Sequence, residues 1–370
     1  MTHQIKKIAI NTGGGDAPGL NAVIRAATIS ALSKGWEVIG CRDGFNGVLQ
    51  PQFYGPTNPG TVVLDRNAVR GITHLGGTIL GTTNRGNPLA FPMVKDDGEV
   101  EIVDRCPELV DKLKKMGVDA LVAIGGDGSM KIAQRVAELG MPTVGVPKTI
   151  DNDLLHTVAT FGFDTAVSFA TDAVDRLHST AHAHQRTMVV EVMGRYAGWI
   201  ALHAGVAGTA DVILIPEIPY DIEKVLAKVQ KRYSDGHNFA IVVIAEGAKP
   251  LGGTHSIIGK SLGQAERLGG AGATLSAVIG EKLGVETRCT VLGHLQRGGS
   301  PTARDRLLAL RFGSAAVRTL AAGISNVMVV LDPPSVEYVS LDEVIDNMKL
   351  IPLDCDTVRT ARDLGVCLGD

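Results

Sequence analysis

The chain has 370 residues, 45% of them hydrophobic and only 4% aromatic, with 45 glycines and a formal net charge of −3. That length exceeds the roughly 250–300 residues at which one core stops growing, so two domains are expected, and the charge lacks the overall basic field that nucleic acid or an anionic membrane would favour. Five cysteines, odd in number and without a CxxC pair, argue against a disulfide framework or a thiolate zinc site and fit a reducing cytoplasm. The opening MTHQIKKIAINTGGG has too short an apolar run for a signal peptide, and no later run approaches the ~20 residues of a membrane span.

One grammar recurs along the chain: a short apolar strand, a glycine or acidic turn, then a helix. KKIAINT leads through GGGDAPG into LNAVIRAATISALSKG, whose apolar positions keep a helical period and which stops at Lys34 and Gly35. DALVAI leads through GGDG into SMKIAQRVAELG and on to the strand PTVGV, a βαβ unit. The pattern returns at TMVVEV, MGR and YAGWIALHAGVAG, at ADVILI with PE, and at NFAIVVIAEG, giving two parallel-rich sheets. SDGHN, EGAKPLGGTHS and RLGGAGAT read as exposed loops. No flexible linker separates the halves, so the domains are expected to exchange chain more than once. Open parallel sheets bind ligands beyond the carboxyl ends of their strands, which points to Gly14–Asp16, Gly125–Ser129, Lys148–Asp153, Met193–Arg195 and Glu246.

NTGGGDAPG lets backbone N–H groups approach a phosphate at a helix N-terminus, or is a tight turn with Asp16 near a helix cap. It is neither GxxxxGK[ST] nor GxGxxG, because Pro18 occupies the last glycine position. In AIGGDGS, Asp127 is a candidate Mg²⁺ ligand and Gly128 leaves room for a phosphate; the alternative is an aspartate cap. TIDND places Asp151 and Asp153 two apart, on one side if the segment is extended, with an Asx-rich turn as the alternative. Both follow the strand of the βαβ unit that carries Asp127, and adjacent carboxylates repel unless a cation sits among them. Arg186, Arg195, Arg288, His294 and Arg297, beside glycines or at strand ends, suggest a guanidinium fork for a phosphorylated substrate. His178, His182 and His184 have a spacing that could hold a metal, but a polar helix face is the simpler reading because no acid or cysteine completes the set.

In this order, GGDAPG, GGDGS, PKTIDND, HQR, MGR and GHLQRGG resemble the 6-phosphofructokinase family over nearly the whole chain. The resemblance implies two Rossmann-like three-layer α/β domains with an active-site cleft between them. Residues 1–162 with about 296–346 would bind the phosphoryl donor and Mg²⁺, and residues 163–295 with about 347–370 the sugar phosphate. The implied reaction is phosphoryl transfer to the 1-hydroxyl of fructose 6-phosphate, with Asp151 as base, Asp127 and Asp153 around Mg²⁺, and Thr149 holding the transferred group. Arg85 is similar to the arginine that neutralises charge on that group, with Asn84 a competitor one residue away. Gly14, Gly15, Arg85, Gly126, Asp127, Gly128, Ser129 and Lys148 match the donor side. Thr149, Ile150, Asp151, Met193, Gly194, Arg195, Glu246, His294 and Arg297 match the sugar pocket. Arg186 and Arg288 match arginines supplied to the 6-phosphate by a neighbouring subunit, which implies a homodimer or tetramer.

The donor is ATP or pyrophosphate. Pyrophosphate users of this family tend to carry Asp at the position of Gly128 and Lys at that of Lys148, whereas common bacterial ATP users carry Gly at both. This chain is mixed. Aspartate at position 128 would put bulk and negative charge where the α-phosphate of ATP must lie, and glycine admits it, so ATP is the expected donor. A reading from a different class is a dinucleotide-binding oxidoreductase, since the chain starts β, glycine turn, α, β and Asp43 follows the second strand. Pro18 and the lack of a hydride-transfer constellation argue against it.

Overall fold

The computed structural model describes residues 4–94, 97–254, 257–259 and 267–370. Two compact units divide the chain: one contains Met1–Thr149, Leu154–Gly162 and Arg297–Met348, the other Ile150–Asp153, Phe163–Gln296 and Lys349–Asp370.

The sheet of the first unit runs, edge to edge, Ser335–Ser340, Val327–Asp332, Thr143–Thr149, Ala120–Gly125, Lys7–Thr12, Glu37–Cys41 and Thr61–Val63, with Phe161–Gly162 also paired to Thr143–Thr149. Its central pairings are parallel and its two edge strands antiparallel. Because successive side chains of a strand point to opposite faces, Ile8, Ile10, Val122, Ile124, Val144 and Val146 form one core with the helices Leu20–Leu32 and Ala303–Ala321. Ala9, Leu121 and Ala123 face a second core with the helices Cys106–Lys115 and Asp127–Glu138. Helices on both faces explain why these strands read as unbroken apolar runs rather than alternating ones. The helix Leu20–Leu32 is preceded by Gly19 in the left-handed conformation, φ 108°, without a side-chain cap, so Asp16 does not cap it.

A fully parallel four-stranded sheet, ordered Val212–Leu214, Ala240–Ala245, Thr187–Val192 and Thr287–Val291, forms the centre of the second unit. Ile222–Ser234 and Ala271–Leu283 cover one face, burying Val225, Val229, Leu275 and Ile279 against Val189, Val212, Val242 and Ile244. The helices Phe163–His184 and Trp199–Ala207 pack against the same sheet, at Thr187–Val192, Val212–Leu214 and Ala240–Ala245.

The loop expectation for RLGGAGAT does not hold: Arg267–Leu268 is a short strand, and Leu268 and Gly269 are buried. A helix with one buried face starts at Ala271, and the Gly272 N–H donates to the buried Glu191 Oε2 at 2.7 Å. Glycines there serve a close approach to Glu191 rather than exposure. SDGHN is exposed, and of the loop expected at EGAKPLGGTHS, residues 255–256 lie outside the described residues. No helix among the described residues is long and apolar enough to cross a membrane.

Candidate active site

Two glycine turns of the first unit lie at the carboxyl ends of adjacent parallel strands, joined by the Gly13 N–H donating to Ile124 O at 2.9 Å. Gly14, at φ 76°, adopts a conformation that favours glycine. Its carbonyl accepts from Thr82 Oγ1 at 2.5 Å and its N–H donates to Thr83 O at 3.3 Å, which brings the segment before Arg85 to this turn. Lys148, only 3% exposed, donates Nζ to Gly15 O, and Arg297 donates Nη1 to Asp16 O at 2.9 Å. Two cations thus hold successive carbonyls of one glycine turn. Arg297, expected on the sugar side, has its backbone in the first unit, and Thr82 and Thr83 are partners that motif reading missed.

In the second turn Gly126 is extended and precedes Asp127, the first residue of the helix Asp127–Glu138, so the cap reading of Asp127 does not hold. The carboxylate lies at the positive end of the helix dipole. It pairs with Lys131 at 3.2 Å, and Lys131 pairs with Asp346 at 2.8 Å. Hydrogen bonding to Asp346, and then to Asp127, raises the Lys131 ammonium above its ordinary range. A Cβ placed on Gly128 would meet nothing within 4 Å, whereas one on Gly125 would collide with Ser129 Oγ at 2.1 Å. Position 128 is therefore open space. Asn84 and Arg85 are both exposed, on a bend where the Arg85 N–H donates to Thr83 Oγ1 at 2.9 Å.

The strand Thr143–Thr149 ends at Thr149, and the chain passes into the second unit at Ile150, which is fully buried. The segment that follows is not extended, a correction to the expectation that both acids share one side. Ile150 and Asp151 bend, and Asn152 is left-handed at φ 53°, which breaks the two-residue alternation. Asn152 is 4% exposed, and its Oδ1 accepts from Lys349 Nζ at 2.9 Å, while the Lys349 N–H donates to Asp153 O at 2.9 Å. Burial pushes the Lys349 ammonium down to about 8, opposed by the Asp153 carboxylate.

Elsewhere in the second unit, Met193, Gly194 and Arg195 follow Thr187–Val192, and Glu246 follows the adjacent Ala240–Ala245. The Glu246 N–H donates to Val192 O at 2.9 Å and the Gly247 N–H to Gly194 O at 3.1 Å, so the two turns adjoin. Gln296, 1% exposed, accepts from the Met193 N–H at 3.4 Å and ties the 3-10 turn Gly293–Arg297, which carries the exposed His294, to this pair. The Arg195 guanidinium lies 5.8 Å from the centroid of the Tyr196 ring. Arg186 and Arg288 meet the same oxygen, Glu286 Oε1, at 3.4 and 2.7 Å. His178 and His182 pack edge-on against Phe239, and His178 Nε2 bonds Gly208 O at 2.7 Å.

Glycine-rich and acidic turns gathered at the carboxyl ends of parallel strands define an α/β protein built for phosphorylated ligands. The chain belongs to the phosphofructokinase family, whose model matches residues 7–320. It is 49% identical over 370 residues to the ATP-dependent 6-phosphofructokinase of Chloroflexus aurantiacus, across 100% of this chain and 99% of that protein. It is also 46% identical over 352 residues to the pyrophosphate–fructose 6-phosphate 1-phosphotransferase of Amycolatopsis mediterranei, across 94% and 97%. Phosphofructokinase from Saccharomyces cerevisiae is a structural neighbour, with a TM-score of 0.76 and 30% identity over 91% of this chain and 45% of that one. Family membership sets aside the oxidoreductase reading.

Proposed function

We propose that the protein transfers a phosphoryl group from ATP to the 1-hydroxyl of fructose 6-phosphate, giving fructose 1,6-bisphosphate as a step of glycolysis in the cytoplasm. The observation that carries the choice of donor is the open space at Gly128, one residue into the helix Asp127–Glu138. A nucleotide's inner phosphate needs such a place at a helix N-terminus.

Phosphoryl transfer asks the protein for alignment and charge stabilisation rather than covalent chemistry. On the donor side, the turns at Gly14–Gly15 and Gly126–Ser129 receive the phosphates, with Lys148 behind the first turn. Thr149 and Arg85 hold the group in transit, and Asp151 takes the proton of the sugar hydroxyl. On the sugar side Ile150, Met193, Gly194, Arg195, Glu246, His294 and Arg297 fix the acceptor. Arg186 and Arg288 reach the 6-phosphate of a neighbouring subunit, in a homodimer or tetramer.

Asp127 and Asp153 would hold Mg²⁺. They supply the hard carboxylate oxygens that Mg²⁺ takes. Two such groups fit an ion held by one or two carboxylates together with substrate phosphates and water rather than by a protein cage. When bound, it supplies charge neutralisation at the donor phosphates.

Pyrophosphate is the second reading, favoured by Lys148 beside the glycine turn. A coupled assay for fructose 1,6-bisphosphate with Mg-ATP and Mg-pyrophosphate side by side separates the two. Turnover with ATP is the expected result, and turnover with pyrophosphate alone would reverse the assignment.

A further inference from the structure

One side chain outside these assignments grips the acidic segment directly. Lys349 Nζ donates to Asn152 Oδ1 at 2.9 Å, and its backbone N–H donates to Asp153 O at 2.9 Å. Behind it, the Lys349 carbonyl accepts from Trp199 Nε1 at 2.9 Å, and its ammonium lies 5.6 Å from the Trp199 ring centroid. Two residues on, the Ile351 N–H donates to Glu217 Oε1 at 3.0 Å. Both Glu217 oxygens also accept from the Gly198 N–H at 3.1 Å. Gly198 and Trp199 begin the helix that follows the Met193–Arg195 turn.

We propose that Lys349 is a positioning residue that locks Ile150–Asp153 through the Asn152 amide and so fixes the directions in which the Asp151 and Asp153 carboxylates are presented. The proposal rests on the phosphotransferase reading. Asparagine enters the left-handed region more readily than most residues, but the region is still sparsely populated and a fixed conformation there is held by the surroundings. One such hold on Asn152 is the charge-assisted hydrogen bond from Lys349, roughly twice as strong as a neutral one. If Asn152 relaxed to an ordinary backbone conformation, both flanking carboxylates would swing. An ordinary surface lysine has a solvated tip, whereas this one is shared between an amide, an indole face and a carboxylate.

The test compares Lys349→Met, Lys349→Arg and Asn152→Gly in the full chain. Asn152→Gly keeps the left-handed backbone accessible while removing the amide. Hydrogen exchange of the 150–154 amides is read without substrate, alongside kcat and KM. Lys349→Met is expected to speed exchange in this segment by about tenfold or more while the sheet amides stay protected, the scale of a lost bond to a charged group. It is also expected to lower kcat roughly 10–100-fold, with the sugar-phosphate KM little changed. Lys349→Arg should recover part of both, Asn152→Gly should match Lys349→Met, and the double variant should lose no more than either single one. If Lys349→Met does not fold, Asn152→Gly with the same readouts carries the test. Unchanged exchange with near-normal kcat, exchange raised uniformly across the second unit, or losses that multiply in the double variant would overturn the proposal. Should the wild-type chain fail to phosphorylate the sugar, the functional reading falls while the exchange data still decide the Lys349 contact.

Discussion

Arg288 Nη2 pairs with Glu286 Oε1 at 2.7 Å, and Arg186 reaches the same oxygen at 3.4 Å. One carboxylate therefore balances both guanidiniums, and under the role proposed for these arginines a 6-phosphate would compete with it. The Arg288 and Glu286 side chains are exposed, so the pair is screened by solvent and its worth is modest. Glu286→Gln is expected to lower the sugar-phosphate KM by about two- to fivefold at low salt, the effect of one exposed ion pair. The benefit should shrink as ionic strength rises, and kcat should not move. A higher KM instead would mean that Glu286 aims the arginines rather than competing for them.

Activity is expected to need assembly, because Arg186 and Arg288 are assigned to a neighbour's substrate. Sedimentation and turnover measured over the same dilution series should fall together. An active monomer would return both arginines to their own subunit.

Asp151→Asn keeps the shape of the side chain and removes its basicity. The expected loss in kcat is the ~10²–10⁴-fold of a missing general base, with sugar-phosphate binding intact by calorimetry. Near-normal turnover would take Asp151 out of the mechanism.

Gly128→Asp should fold normally, since a Cβ there meets nothing within 4 Å. The added carboxylate would repel the inner phosphate of a nucleotide, so ATP turnover should be lost and any pyrophosphate turnover retained. Equal retention of ATP use would show that Lys148, not Gly128, governs the donor.

Thiol chemistry should report burial. Desolvation pushes Cys41 up to about 12, and desolvation with a bond to Asp104 does the same for Cys106. Both should resist iodoacetamide at pH 8 until the protein unfolds. These raised values contribute stability that is fully present below the ordinary thiol value of 9.0 and is lost as pH rises toward about 12. Denaturant midpoints that stay flat across this alkaline range would contradict the burial.

Much of the candidate site was legible because parallel sheets put chemistry at strand ends. An apolar run followed by a glycine or an acid therefore marks both a strand boundary and a ligand turn. This is how Asp127, Gly128 and Met193–Arg195 emerge from local sequence, together with the strands that carry them. The same logic misplaced the carboxylates of TIDND, since a two-residue alternation holds only in extended chain and Asn152 is left-handed at φ 53°. RLGGAGAT misled for a related reason: glycine marks a turn and close packing alike, and Gly272 packs on Glu191.

By itself, then, the sequence determined the α/β class, the βαβ unit around Asp127 and the family, because periodicity and turn chemistry are written within a few residues of one another. Only the tertiary structure decided which distant groups hold those turns. Lys148 on Gly15, Arg297 on Asp16, Gln296 on Met193 and Lys349 on Asn152 join positions from about one hundred to nearly three hundred residues apart. No local pattern encodes such a pair, because the cost of a buried donor or acceptor is relieved by whichever partner the fold brings near.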